Sequence, residues 1–254
     1  MKTALITGAS SGIGKEFARR YAEKGYRLIL TARRESVLQR FGEELSTDVV
    51  IIPADLSDEK QCFELLEKLK DEDIDVFINN AGFGLAGSFL TTDIEREVNM
   101  IKVNDIAMHI MFKGILQKMD TRGSGTILNV ASSAGLFPGG PYMAGYYASK
   151  AYVVSLTRAV VQELKEKGSN VYVCALCPGP VDTNFNRNAG VVFSLKGISA
   201  SQCVSECLKE MDRKKIIIVP SVMMKAAVSL SKLAPAGLLT AMTGHQQKKK
   251  TGQI

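Results

Sequence analysis

Tryptophan is absent from the 254 residues, and only two histidines occur, His109 and His245. Neither has partner spacing, so the usual zinc sites are excluded and no metal is expected. The five cysteines are odd in number and fall into no framework pattern, which points to a reducing compartment rather than a disulfide scaffold. Cys174 and Cys177 lie in a strand and its exit, not at the head of a helix where a redox pair would sit, and Cys203 and Cys207 read as helix packing. No uninterrupted apolar run reaches membrane-spanning length, because Ile216 to Met242 is broken by Lys225, Lys232 and Pro235. Met1-Lys2 leads at once into apolar residues and leaves no room for a secretion leader, so a cytoplasmic location is expected.

What is present suffices for a sizeable core. At 46% hydrophobic content, one domain over 1–254 is expected, with a C-terminal extension at about 220–254. The net charge of +6 and isoelectric point near 9.0 do not indicate nucleic acid. The bases are scattered apart from Lys248-Lys249-Lys250, and no aromatic residues interleave with them. An anionic small ligand or a membrane surface fits the charge equally well.

Apolar runs and helical periodicities alternate along the chain. Strands are expected at 3–7, 27–31, 49–53, 75–78, 126–131, 171–176 and 216–219. Helices are expected from about 13 to 25, to about 45, at 58–69, at 93–119, from Tyr146 to about 167, and at 199–211. Such alternation predicts an α/β fold with a parallel sheet and helices on both faces. In a sheet of this kind ligands bind beyond the carboxyl ends of the strands. The unusual residues gather there: Gly8 to Gly14, Arg33, Asp55, Asn80 to Gly82, Ser132 and Ser133, and Pro178-Gly179. Each alone is explained as a turn or cap residue; their joint placement is not.

The first turn reads GxxxGxG, with Gly8, Gly12 and Gly14. Missing side chains let backbone approach a pyrophosphate whose charge rests at a helix N-terminus. Tyr146 and Lys150 stand one helical turn apart, so the two side chains share a face and the ammonium favours the phenolate. Tyr147, one position out of phase, is expected to point elsewhere.

Five motifs in order, Thr7-Gly8-Ala9-Ser10-Ser11-Gly12-Ile13-Gly14, Asn79-Asn80-Ala81-Gly82, a serine after the fifth strand, Tyr146-x-x-x-Lys150 and Pro178-Gly179-Pro180-Val181-Asp182-Thr183, resemble the short-chain dehydrogenase/reductase family over about residues 3–183. The resemblance implies a doubly wound Rossmann-type sheet of seven strands, order 3-2-1-4-5-6-7. It implies that Tyr146 is the general acid that protonates a carbonyl oxygen, and that Lys150 lowers the tyrosine pKa and holds the nicotinamide ribose. Ser132 would orient the substrate oxygen, with Ser133 as the alternative that a different count selects. Asn104 would support a water-linked proton path through Lys150, with Asn99 as its competitor. Cofactor contacts are implied for Gly8, Ser10, Ser11, Gly12, Ile13, Asp55, Leu56, Asn80, Ala81, Gly82, Pro178, Gly179, Val181 and Thr183, together with Tyr146 and Lys150.

The second strand ends in Thr31-Ala32-Arg33-Arg34, where a carboxylate would hold the ribose hydroxyls of NAD. Guanidinium suits a 2′-phosphate, so NADP(H) is expected, with Arg33 as the main contact and Arg34 as secondary. Phe83, Leu136, Phe137, Pro141, Tyr142, Met143, Phe185, Val192 and Phe193 give an apolar substrate region. An extended hydrophobic ketone or alcohol, such as a steroid or 3-oxoacyl chain, is the expected substrate, and residues 184–198 the substrate loop. In the extension Lys225 and Lys232 share a helix face. A protein contact ranks first for it, ahead of a pocket cover or a peripheral contact with anionic lipid. The resemblance suggests a homodimer or homotetramer. The competing functions are a nucleotide-binding regulator without turnover, opposed by the serine, tyrosine and lysine, and a sugar-nucleotide epimerase, opposed by the Gly8 to Gly12 spacing.

Overall fold

The computed structural model describes residues 1–183 and 197–250. Six strands carry most of the sheet: β1 (Thr3–Thr7), β2 (Arg27–Thr31), β3 (Val49–Ile51), β4 (Val76–Asn79), β5 (Gly125–Val130) and β6 (Val171–Leu176). A short pair, β7 (Val181–Asp182) and β8 (Ile198–Ser199), stands apart, and β9 (Ile217–Ile218) closes the main sheet. The order is β3-β2-β1-β4-β5-β6-β9, all parallel. This is the expected seven-stranded order, with β9 in the seventh place.

Side chains alternate across a strand with a period of two, and here that period builds two cores. Leu5, Phe77, Ile127 and Val173 point to one face, where they meet Cys62 and Leu65 of α3 (Glu59–Lys68), Met111 and Ile115 of α5 (Met108–Arg122), and Val153 of α6 (Ala144–Lys167). Ile6, Ile78, Leu128 and Cys174 point to the other, against Phe17 and Tyr21 of α1 (Gly12–Glu23), Leu38 and Phe41 of α2 (Glu35–Glu43), and Cys203 and Cys207 of the helix Ala200–Asp212. Sequestering the strands on both faces leaves their carboxyl ends as the accessible edge. All five cysteines are buried free thiols.

Between β4 and β5 the expected single helix is three pieces: α4 (Ile94–Ile101), a π-helical turn Lys102–Ala107, and α5. A π turn admits one extra residue without breaking the helix, and such turns concentrate at functional sites. The extension forms two helices, Val222–Ser231 and Ala236–Lys250, not one. Pro235 separates them and its carbonyl accepts from Leu239 N at 3.2 Å, in keeping with proline at a helix start.

Candidate active site

At the carboxyl edge of the sheet a cavity of about 640 Å³ opens. Its first wall is the turn between β1 and α1. Gly8 and Gly12 adopt φ of +65° and +57°, in the left-handed region that a β-carbon disfavours. A Cβ on Gly8 would also stand 2.8 Å from Asn80 Nδ2. Ser11, at the N-cap of α1, makes no side-chain capping bond, and the first turn holds no acidic residue. The helix end therefore presents uncompensated backbone N–H groups to the cavity, a cradle that fits an anion.

Thr7 locks this turn to the end of β4. Its Oγ1 accepts from Asn80 N at 2.9 Å and Ala81 N at 3.1 Å, while Asn80 Nδ2 donates to the Thr7 carbonyl at 2.9 Å. The fully buried Thr7 was not among the expected site residues. A polar β-branched residue ending an apolar strand just before a glycine turn was the signal available for it.

The remaining expected contacts line the same cavity: Ser10, Ser11, Ile13, Arg33, Arg34, Asp55, Leu56, Ala81, Gly82, Pro178, Gly179, Val181 and Thr183. Both arginines are exposed, and among the described residues neither guanidinium has an ion pair, which leaves them available to an anion. The Asp55 carboxylate is already committed, accepting from Ser57 N at 3.0 Å and Ser57 Oγ at 2.8 Å.

The other end of the cavity joins Ser132, Tyr146 and Lys150. Ser132 caps the short helix Ser133–Leu136, accepting from Ala134 N at 3.1 Å. Burial pushes the Tyr146 hydroxyl up to about 12, and a hydrogen bond with Ser132 partly offsets it. The same burial pushes the Lys150 ammonium down to about 8, with Asp105 opposing. Lys150 Nζ lies 5.9 Å from the Tyr146 ring centre and donates to the Val130 carbonyl at 3.1 Å. Desolvation is thus the largest influence on the Tyr146 hydroxyl. Of the two serines, Ser132 pairs with the tyrosine, whereas Ser133 is held through its backbone, N to Pro178 O at 2.8 Å.

Asn104 does not line the cavity; it sits behind it in the π turn. Its Nδ2 donates to Phe83 O at 2.9 Å and Ser149 Oγ at 3.1 Å, and its Oδ1 accepts from Phe83 N at 3.0 Å. A Cβ on Gly82 would stand 2.9 Å from Asn104 Oδ1 and 3.2 Å from Lys150 Nζ, so bare backbone lets these two groups converge. Asn99 does line the cavity, one turn earlier. Beside Asn104, Asp105 buries Oδ1 with no hydrogen-bond partner among the described residues.

The described residues expected at the apolar end divide between the cavity and other packing. Phe83 and Met143 line the cavity, and Leu85, Met100, Ala134 and Tyr146 pack with them. Leu136 and Phe137 instead pack on the main core. Pro141 lies beneath Gly244, and Tyr142 faces Lys248 Nζ at 5.5 Å from its ring centre. Phe185, Val192 and Phe193 lie outside the described residues. Tyr147, expected to point elsewhere than Lys150, also lines the cavity, with its ring against Gly140, where no side chain would fit. The second C-terminal helix reaches this wall, since Gln247 also lines the cavity and Thr243 Oγ1 donates to Gly139 O at 2.9 Å.

Residues 2–191 match the family model described as short chain dehydrogenase. An NADP-dependent 3-hydroxy acid dehydrogenase of Schizosaccharomyces pombe is 36% identical over 195 residues, 73% of this chain and 73% of its own length. A short-chain dehydrogenase from Sphingobium yanoikuyae in complex with NADPH superposes with a TM-score of 0.82 at 30% identity, covering 94% of this chain and 95% of that one. A bulky-bulky ketone specific alcohol dehydrogenase from Comamonas testosteroni superposes with a TM-score of 0.77 at 29% identity, covering 94% and 93%.

Proposed function

The chain belongs to the short-chain dehydrogenase/reductase family of oxidoreductases, and on that premise we propose that it transfers hydride between NADP(H) and a hydrophobic ketone or secondary alcohol, a steroid or 3-oxoacyl chain being the candidate class. The carrying observation is that Ser132, Tyr146 and Lys150 meet at the apolar end of a cavity whose other end offers uncapped helix N–H groups and two arginines without an ion pair among the described residues. The bound nicotinamide would supply or accept the hydride. The residues of this chain do the rest.

Tyr146, buried and protonated at physiological pH, is the proton donor to a carbonyl oxygen. Ser132, hydrogen-bonded to it, fixes where that oxygen sits. Lys150 places positive charge behind the pair and, across Gly82, beside Asn104, a polar route from the interior that restores the proton Tyr146 has given to the carbonyl oxygen. Donors fixed in advance and sheltered from water are what make such a site effective at the developing oxyanion. Arg33, with Arg34 beside it, takes the 2′-phosphate of the adenosine ribose. The NADP dependence of the Schizosaccharomyces pombe relative and the NADPH held by the Sphingobium yanoikuyae enzyme support that choice.

Phe83, Met143 and Tyr147 give the reacting carbonyl an apolar setting, which favours substrates with hydrocarbon on both sides of it. The test is NADPH oxidation against steroid ketones, 3-oxoacyl thioesters and small hydrophilic carbonyls. Turnover on one of the first two groups is expected. Activity confined to the small hydrophilic carbonyls would overturn the substrate class, and equal use of NADH would overturn the cofactor choice.

A further inference from the structure

After Asp212 the chain contains no aspartate or glutamate, while Arg213, Lys214, Lys215, Lys225, Lys232 and Lys248 to Lys250 follow it. The whole net charge of +6 resides in this segment, and without it acids would slightly outnumber bases. Within the same segment lie the most exposed large apolar side chains among the described residues of the C-terminal half. Val222 is 81% exposed, Leu230 67% and Leu233 85%, and Met223, Leu238 and Met242 also stand out.

The two features are arranged, not merely mixed. On the helix Val222–Ser231, Val222, Ala226 and Leu230 follow at steps of four residues and share one face, and Leu233 is exposed in the turn just beyond it. Lys225, Ser229 and Lys232 run alongside. The inward positions differ: Val228 and Ser231 are buried, and Met224 packs against Gly179. On the helix Ala236–Lys250, Leu238, Ala241, Met242 and His245 are exposed, while Thr243 and Gln247 turn toward the cavity wall. Lys225 Nζ lies 3.2 Å from Glu210 Oε1. Lys232 has no ion pair among the described residues.

We propose that the outer faces of these two helices form a peripheral docking surface for bilayers rich in anionic phospholipid. An apolar stripe rimmed by lysines matches an interface whose acyl boundary takes hydrocarbon and whose headgroups carry negative charge. A second copy of the chain is a poor occupant. A two-fold contact sets the same patch against itself, and a patch without a single acid then opposes lysine with lysine. No helix among the described residues is long and apolar enough to cross a membrane, so the contact lies in the interfacial plane. On the second of these helices Gln247 lines the cavity, so docking brings the cavity beside the lipid.

The experiment is co-sedimentation of the full chain with phosphatidylcholine vesicles, with and without about 30 mol% phosphatidylglycerol. It needs neither nicotinamide nor turnover, so its result is separate from the proposed chemistry. Wild-type protein is expected to partition about tenfold more strongly into the anionic vesicles, and to be released at about 0.5 M NaCl as the Debye length shrinks. Leu230→Gln/Leu233→Gln and Lys232→Glu are each expected to weaken partition by about fivefold or more while the melting temperature and NADPH affinity stay at wild-type values. Wild-type protein left in the supernatant with both vesicle types would overturn the proposal. So would partition that the variants do not change, or variants whose sole effect is a shift in sedimentation coefficient without lipid.

Discussion

Gln247 donates a hydrogen bond from its side-chain amide to the Tyr147 hydroxyl at 2.9 Å, tying the second C-terminal helix to the helix that carries Tyr146. Both residues line the cavity beside Met143 and Phe83, so the far end of the chain takes part in the wall that meets substrate. Gln247→Leu is expected to raise KM for the ketone about fivefold, the scale of one lost neutral hydrogen bond. Steady-state kinetics should show kcat within about twofold and NADPH affinity unaltered, because neither the acid nor the dinucleotide edge is touched.

Tyr146→Phe removes the proton donor and keeps the ring. A loss of about a thousandfold in kcat is expected, with NADPH binding, followed by fluorescence titration, close to wild type. Unchanged turnover would remove Tyr146 from the role of acid.

Ser132 and Ser133 separate on their contacts. Ser132→Ala takes away the hydroxyl that pairs with Tyr146 and should lower kcat/KM about a hundredfold. Ser133→Ala leaves the backbone bond to Pro178 in place and should cost no more than a few fold.

Arg33→Ala should weaken NADPH by about 10- to 100-fold, the range for a charge-assisted contact, and leave NADH nearly unaffected. Calorimetric titration of both dinucleotides reads the difference directly. Equal losses would mean that Arg33 does not meet a 2′-phosphate.

Burial raises the Asp105 carboxyl to about 6, with the Lys150 ammonium pulling the other way. Because the folded value is above the unfolded one of about 3.9, the bound proton favours the fold at low pH. That contribution is lost as pH rises through about 6. Asp105→Asn stays neutral throughout. It should melt with wild type near pH 4 and about 3 °C higher near pH 8, on the scale of ~1 kcal/mol for a chain of this size. Differential scanning calorimetry at the two pH values checks the sign.

The parallel sheet was legible because its buried strands are short unbroken apolar runs, as in Leu28-Ile29-Leu30 and Val76-Phe77-Ile78, set apart by glycine turns and helical periods, whereas the strand order came from the family resemblance of the motifs. The cavity lining was legible for a related reason: strand ends in a parallel sheet all face one edge, so Arg33, Asp55 and Asn80 had to converge. What escaped was geometry without a compositional mark. Lys102 to Ala107 reads as ordinary helix, and nothing in those residue types announces the extra one that the π turn admits. The orientation of Tyr147 depends on Gly140 and Gln247, one seven residues before it and the other 100 residues after it, and helical phase relative to Lys150 contains neither. Leu136 and Phe137 were drawn to the main core by α6, which sequence distance to the catalytic motif does not reveal.

The π turn also makes the chain unequal in its tolerance of length changes. Deleting one residue between Lys102 and Ala107 would convert the turn to regular α-helix at little conformational cost, and the protein would still fold. At 3.6 residues per turn, however, the shortened segment would rotate Asn104 by about 100° relative to α5, away from Phe83 and Ser149. A one-residue deletion in most helices damages the core first; here it would spare the core and uncouple the loop at Gly82 from Lys150.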